Sequence, residues 1–269
     1  YGSSVPLSWG LAQSNNWVTA GLMSQIDPTG HRLAKILKDY GVKNPNIYPS
    51  IALCLGPCDV TVGELAGAYT AFANGGIRVA PLLVTKIEDA QGNVIAEFSP
   101  RVNEVISEES ADEMITMLRG VVQDGTAGRL RYKYNLNGPI AGKTGTTNNN
   151  SDGWFVGLVP RLVTACWVGG EDRDIHFDRT NSGQGATVAL PIWAYYMKKI
   201  YRDQSLGYKE NEEFKKSAHP KVSPTPSVQS NSMVEDEEAP DAESQPQRST
   251  EASPPKRPTN QPRSESLFE

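Results

Sequence analysis

Four consecutive residues, Lys143-Thr144-Gly145-Thr146, combine a cation, two hydroxyls and a glycine. On the open edge of a sheet such a run has a definite chemistry. The ammonium and hydroxyls can hold a carboxylate, the backbone can pair with an extended peptide, and an N–H just after the glycine can face a developing oxyanion. Gly145 removes a side chain where another backbone must come close. Gly142, Lys143 and Thr144 also match the end of a phosphate-binding loop. That loop needs a glycine at position 137, where the chain has Asn137, and it must open a helix. Residues 148–153 have no helical period and lead into an apolar strand, so nucleotide binding is rejected. A Lys-Thr-Gly or Lys-Ser-Gly triplet arises by chance in a chain of this length on the order of one time in ten, so its surroundings decide its meaning.

A second polar stretch interrupts an apolar one. Leu7, Leu11, Trp17, Val18 and Leu22 are spaced as on a helix, with Gln13, Ser14, Asn15 and Asn16 among them. Two readings stand. Ser14 or Asn16 caps a helix start, or Ser14 and Asn16 lie on a loop between two helices and point into a cleft.

The elements that must position these residues follow an α+β order. Residues 31–40 predict a helix ending at Gly41, with Leu33, Ile36 and Leu37 on one face. Residues 64–74 predict another, opened by a Thr61/Glu64 capping box and closed by Gly75 and Gly76. A hairpin is expected from 82–88 and 94–98. An amphipathic helix follows at 110–123, ended by Gly125-Thr126-Ala127-Gly128. After the Lys-Thr-Gly-Thr strand, 154–159 and 162–169 form a second hairpin around Pro160 and Arg161, apolar enough for a sheet covered on both faces. Pro191 opens a last helix at 190–201.

Composition sets limits. The formal charge is −5 and no basic stripe with interleaved aromatics occurs, which gives no support for nucleic-acid binding. Beyond about residue 217, Pro, Ser, Glu and Gln replace the aromatics, so 208–269 is expected to be a disordered tail after a folded part at 1–207. No apolar stretch has the length of a membrane span. Cys54 and Cys58 are either a small disulfide or two thiols, and Cys166 is a buried small residue. Asp172, Asp174, His176 and Asp178 match no ligand spacing and are read as a solvated loop.

Ser14-Asn15-Asn16, the Gly-Thr-Ala turn, Lys143-Thr144-Gly145-Thr146, the run from Asp152 to Pro160 and Trp167-Val168-Gly169-Gly170 occur in that order. With the helix end 68–76, this series resembles the transpeptidase domain of penicillin-binding proteins over about residues 3–201. The segment 183–197 and the Trp-Val-Gly run are similar to the class A branch, bifunctional enzymes that polymerise and crosslink peptidoglycan. The resemblance implies a partial serine β-lactamase/D,D-transpeptidase-like fold. It implies acyl transfer from D-Ala-D-Ala stem peptides, inhibition by β-lactams, and no metal or organic cofactor. It also implies a bacterial membrane protein with this domain on the extracytoplasmic side, working with other cell-wall synthesis proteins.

By the same resemblance, Ser14 relays protons to the leaving amine and Asn16 orients the acyl peptide. Lys143 strengthens the field at the substrate carboxylate, which Thr144 and Thr146 bind, and the Thr146 N–H after Gly145 is half of an oxyanion hole. The family's nucleophile lies in a Ser-x-x-Lys motif. Here that pattern occurs only at Ser253-Pro254-Pro255-Lys256, where two prolines forbid the helical turn that would join serine to lysine. The chain starts at Tyr1 in what reads as the middle of a domain, so the true motif, the membrane attachment and the glycosyltransferase half are expected before it. A serine β-lactamase, a D,D-carboxypeptidase and a non-catalytic peptidoglycan-recognition module remain as rival readings.

Overall fold

The apolar helical spacing from Leu7 to Leu22 is carried by two helices, α1 (Leu7–Ala12) and α2 (Asn16–Ile26). The break is local chemistry. Ser14 sits in the left-handed region at φ 52°, and the Asn15 side chain caps α2 by accepting the Val18 N–H at 3.1 Å. The cap is therefore Asn15, neither Ser14 nor Asn16, because an N-cap accepts from the residue two or three places on. The computed structural model describes residues 4–216.

Helix α3 spans His31–Asp39, and a 3₁₀ turn at Ile51–Leu55 occupies part of the following loop. Helix α4 (Val62–Ala73) starts on the expected capping box, with the Thr61 hydroxyl accepting Glu64 N–H and the Glu64 carboxylate accepting Thr61 N–H. Strand β1 (Ile77–Val79) pairs antiparallel with β4 (Val102–Glu104), and β2 (Lys86–Glu88) with β3 (Val94–Glu97). The β2–β3 hairpin is shorter than expected, since residues 82–85 stay outside the ladder. Helices α5 (Glu108–Gln123) and α6 (Arg129–Tyr132) come next.

The central sheet has the order β5 (Ala141–Thr146), β6 (Asp152–Val159), β7 (Leu162–Gly169), all antiparallel. Short helices α7 (Thr180–Gly183) and α8 (Gly185–Val188) lead to α9 (Leu190–Arg202). Alternation along β6 splits the core in two. Phe155 and Val159 meet Leu190, Trp193, Ala194 and Met197 of α9. Val156 and Leu158 face Ile115 and Leu118 of α5, with Leu65, Tyr69 and Phe72 of α4 packed alongside. The result is three layers, α4–α5, sheet and α9. Strand β6 is covered on both sides as expected. β7 is only half-buried, because it is an edge and its Trp167 reaches solvent.

Residues 208–216, grouped above with the tail, return to the body. Arg161 makes two 2.7 Å bonds to the Glu212 carboxylate and lies over the Tyr208 ring. The Asn137 N–H donates to Glu210 at 2.9 Å, and Phe214 joins the cluster of Ile115 and Leu118. The rest of the predicted tail, with Ser253 and Lys256, lies outside the described residues.

Candidate active site

Ser14 and Lys143 are 129 residues apart in sequence, and the fold puts Lys143 Nζ 2.8 Å from Ser14 Oγ. The path is short in space. Helix α1 packs along α5, and α5 along β5, so the loop after α1 arrives beside the middle of β5. Lys143 shares a sheet face with Ala141 and, across the ladder, with Val156, which is the face covered by α4 and α5. Its ammonium also donates to the Thr144 carbonyl at 2.9 Å. Half-buried among these groups, it is held well below the usual lysine range, at about 8, by loss of solvation.

Strand β5 is at the edge of its sheet. Its pairing alternates between residues that bond to β6 and residues that do not. The Thr147 N–H donates to the Asp152 carbonyl at 3.1 Å and Thr146 stands opposite Gly153. By alternation, the main-chain groups of Thr144 and Thr146 point away from β6, toward the open edge. That orientation suits pairing with a peptide and presents the Thr146 N–H outward.

The two threonine hydroxyls are already engaged. Thr146 Oγ1 accepts the Gly185 N–H at 3.0 Å, which leaves its own proton to donate elsewhere. Thr144 is buried, and its hydroxyl lies 2.7 Å from that of Thr126. Thr126 belongs to the turn read above as a helix end and as one motif of the resemblance, with no role given to its hydroxyl. A hydroxyl-bearing residue between two glycines was the available signal, but nothing in the sequence shows which strand it meets. Gly145 has a different neighbour from the one anticipated. A β-carbon there would meet Trp154 Cβ at 3.0 Å on the adjacent strand, tighter than ordinary contact, so the glycine relieves crowding within the sheet. Gly185, missed in the sequence, is pressed against the backbone of Gly145 and Trp154 with no room for a side chain.

Asn16 is the first residue of α2, exposed and next to an exposed Trp17. Ser14, Lys143, Thr144 and Thr146 are thus brought into one neighbourhood, with Asn16 two residues along from Ser14. Cys54 and Cys58 are both free thiols, raised above the usual cysteine range chiefly by burial. Asp172, Asp174, His176 and Asp178 lie on an exposed loop. Among the described residues no His, Cys, Asp and Glu group of three or more has a metal-holding arrangement, and no helix is long and apolar enough to cross a membrane.

A half-buried lysine bonded to a serine thus stands on the edge strand of a three-stranded sheet packed between helices. Residues 2–192 match the penicillin binding protein transpeptidase domain, and the chain belongs to that family. Its relatives are of the class A branch. Penicillin-binding protein 1A of Aquifex aeolicus is 38% identical over 203 residues, 75% of this chain and 26% of that protein. The Neisseria lactamica protein of the same name is 34% identical over 207 residues, 74% of this chain and 25% of that one. Among solved structures, penicillin-binding protein 1A from Haemophilus influenzae superposes with a TM-score of 0.68 at 27% identity, over 74% of this chain and 35% of that one. PonA1 from Mycobacterium tuberculosis in complex with penicillin V gives 0.65 at 26% identity, over 81% of this chain and 61% of that one. The chain spans about a quarter of the length of the curated relatives it matches.

Proposed function

We propose that this chain contributes the Ser14-Asn16 and Lys143–Thr146 walls of a peptidoglycan D,D-transpeptidase site, within a longer protein that also supplies a Ser-x-x-Lys nucleophile. The observation that carries this reading is the 2.8 Å contact between Lys143 Nζ and Ser14 Oγ beside an open strand edge. In the reaction, the nucleophilic serine Oγ attacks the carbonyl carbon of the penultimate D-Ala, and its proton passes to the neighbouring lysine. The C–N bond to the terminal D-Ala breaks, and the leaving amine takes a proton by way of Ser14. An amine of a second stem peptide then attacks the ester, releasing the serine and forming the crosslink. The stem peptide lies along β5. Its terminal carboxylate meets the Thr144 and Thr146 hydroxyls in the field of Lys143, Asn16 holds the acyl peptide, and the Thr146 N–H is one of two donors to the oxyanion. Removing one such donor commonly costs about 10²–10³-fold in rate.

The PonA1 complex with penicillin V supports β-lactams as inhibitors of this site. A β-lactam presents a carboxylate and a strained amide, and its ring opening leaves the amine tethered. Kinship with penicillin-binding proteins 1A supports a membrane-attached parent with this domain outside the cytoplasm and a glycosyltransferase in the same polypeptide. Labelling with a fluorescent penicillin tests the reading. The full-length protein should become covalently labelled and the 269-residue chain should not, since its single Ser-x-x-Lys is split by two prolines. An unlabelled full-length protein, or a strongly labelled 269-residue chain, contradicts it.

A further inference from the structure

The turn after α5 touches both halves of the site. The Asp124 carbonyl accepts Gln13 Nε2 at 2.8 Å, and the Thr126 N–H donates to the Ala12 carbonyl at 3.1 Å. Gly125 is packed so closely on that carbonyl that a β-carbon would collide with it. The turn therefore holds the two residues that precede Ser14. From the same turn, the Thr126 hydroxyl reaches the Thr144 hydroxyl at 2.7 Å.

A carboxylate only accepts hydrogen bonds, so each threonine that binds one must turn its proton toward it. Thr146 is set up for this by the Gly185 N–H, which occupies its oxygen. By distance alone, either of Thr126 and Thr144 can be the donor. If Thr144 donated to Thr126, it would have no proton left for the ligand. We propose that Thr126 is a positioning residue: its hydroxyl donates to Thr144, fixes the Thr144 proton toward the groove, and so tunes the site for a terminal carboxylate, while its backbone holds the Ser14 loop against β5. This inference rests on the carboxylate-binding reading given above. Thr126 itself does not touch the substrate.

The test uses the full-length protein, with penicillin acylation followed over a range of concentrations. Thr126→Val keeps the shape and removes the hydroxyl, and Thr126→Ser keeps the hydroxyl. The valine variant should show a second-order acylation constant lower by about tenfold, the loss expected when a hydrogen-bond partner inside a site is removed. Most of that loss should appear as a higher half-saturating concentration. Its preference for a penicillin over the corresponding carboxamide should shrink. The serine variant should stay within about twofold of wild type, since it restores the donor. In a Thr144→Val background, which has no oxygen to receive the bond, Thr126→Val should have no further effect. An unchanged constant in Thr126→Val, equal losses in Thr126→Val and Thr126→Ser, or additive losses with Thr144→Val would each overturn the proposal. Failure of the wild-type protein to be labelled is a distinct result and strikes the transpeptidase reading itself.

Discussion

Lys143→Met in the full-length protein is expected to lower the second-order rate of penicillin acylation by roughly 10²–10⁴-fold, the range for loss of a positioned proton-transfer or charged group. The reason is geometric. Lys143 is bonded to Ser14 and to the Thr144 carbonyl, so in the proposed site one change removes both the field at the carboxylate and the relay. The pH dependence has a definite sign. In the proposed mechanism Lys143 acts as a cation, and burial brings its pKa down to about 8, so acylation should fall as pH rises through about 8. Stability runs the other way. Burial lowers the folded-state value from 10.5 to about 8, so between these values the unfolded chain binds more protons and stability rises with pH. Methionine has the length of the stem without the charge. The variant should be more stable than wild type at pH 7 and should lose this rise. Wild-type acylation in the variant, or a wild-type rate that climbs beyond pH 9, would show that the ammonium has no such role.

Trp193→Ala is expected to cost roughly 3–5 kcal/mol, the usual loss for truncating a fully buried aromatic. Trp193 is wholly buried between α9 and the sheet, edge-on to Phe155 with ring centroids 5.3 Å apart. Gly157 on β6 has no side chain because the indole occupies that space. Trp193→Phe should cost well under half as much. Its ring keeps much of the apolar contact, and the indole Nε1–H that it removes is buried without a partner, so nothing favourable is lost there. Urea midpoints of the two variants separate these cases. Equal losses would mean that the indole N–H has a partner in solution or that ring size alone decides.

The contrast between these residues shows what a linear chain reveals. The Thr61/Glu64 capping box, the strand pair around Pro160 and Arg161 and the amphipathic face of α5 are local patterns, and each was legible because all its determinants lie within a few residues. Ser14 was conspicuous as part of a polar run inside an apolar stretch, and Lys143 as the first residue of the Lys-Thr-Gly-Thr run. Their juxtaposition needed the packing of α1 on α5 and of α5 on β5. Asn15 took the cap because left-handed Ser14 turns the chain two residues before α2 begins. Thr126 and Gly185 were hidden for a different reason. Each reaches β5 through one hydrogen bond, across 18 and 39 residues, and such a bond leaves no periodicity in the sequence. The return of 208–216 was also illegible. Six of its nine residues are charged, and only the placement of Arg161, Asn137 and the α5 face gives Glu212, Glu210 and Phe214 partners.

The most direct test of the account is a double-mutant cycle on penicillin acylation in the full-length protein, with Ser14→Ala, Lys143→Met and both together. If the serine hydroxyl and the ammonium act as one unit, the double variant should be no slower than Lys143→Met alone, because the second change removes nothing that is still working. If the two losses multiply, the groups act independently, and the 2.8 Å contact between them is not the centre of the site.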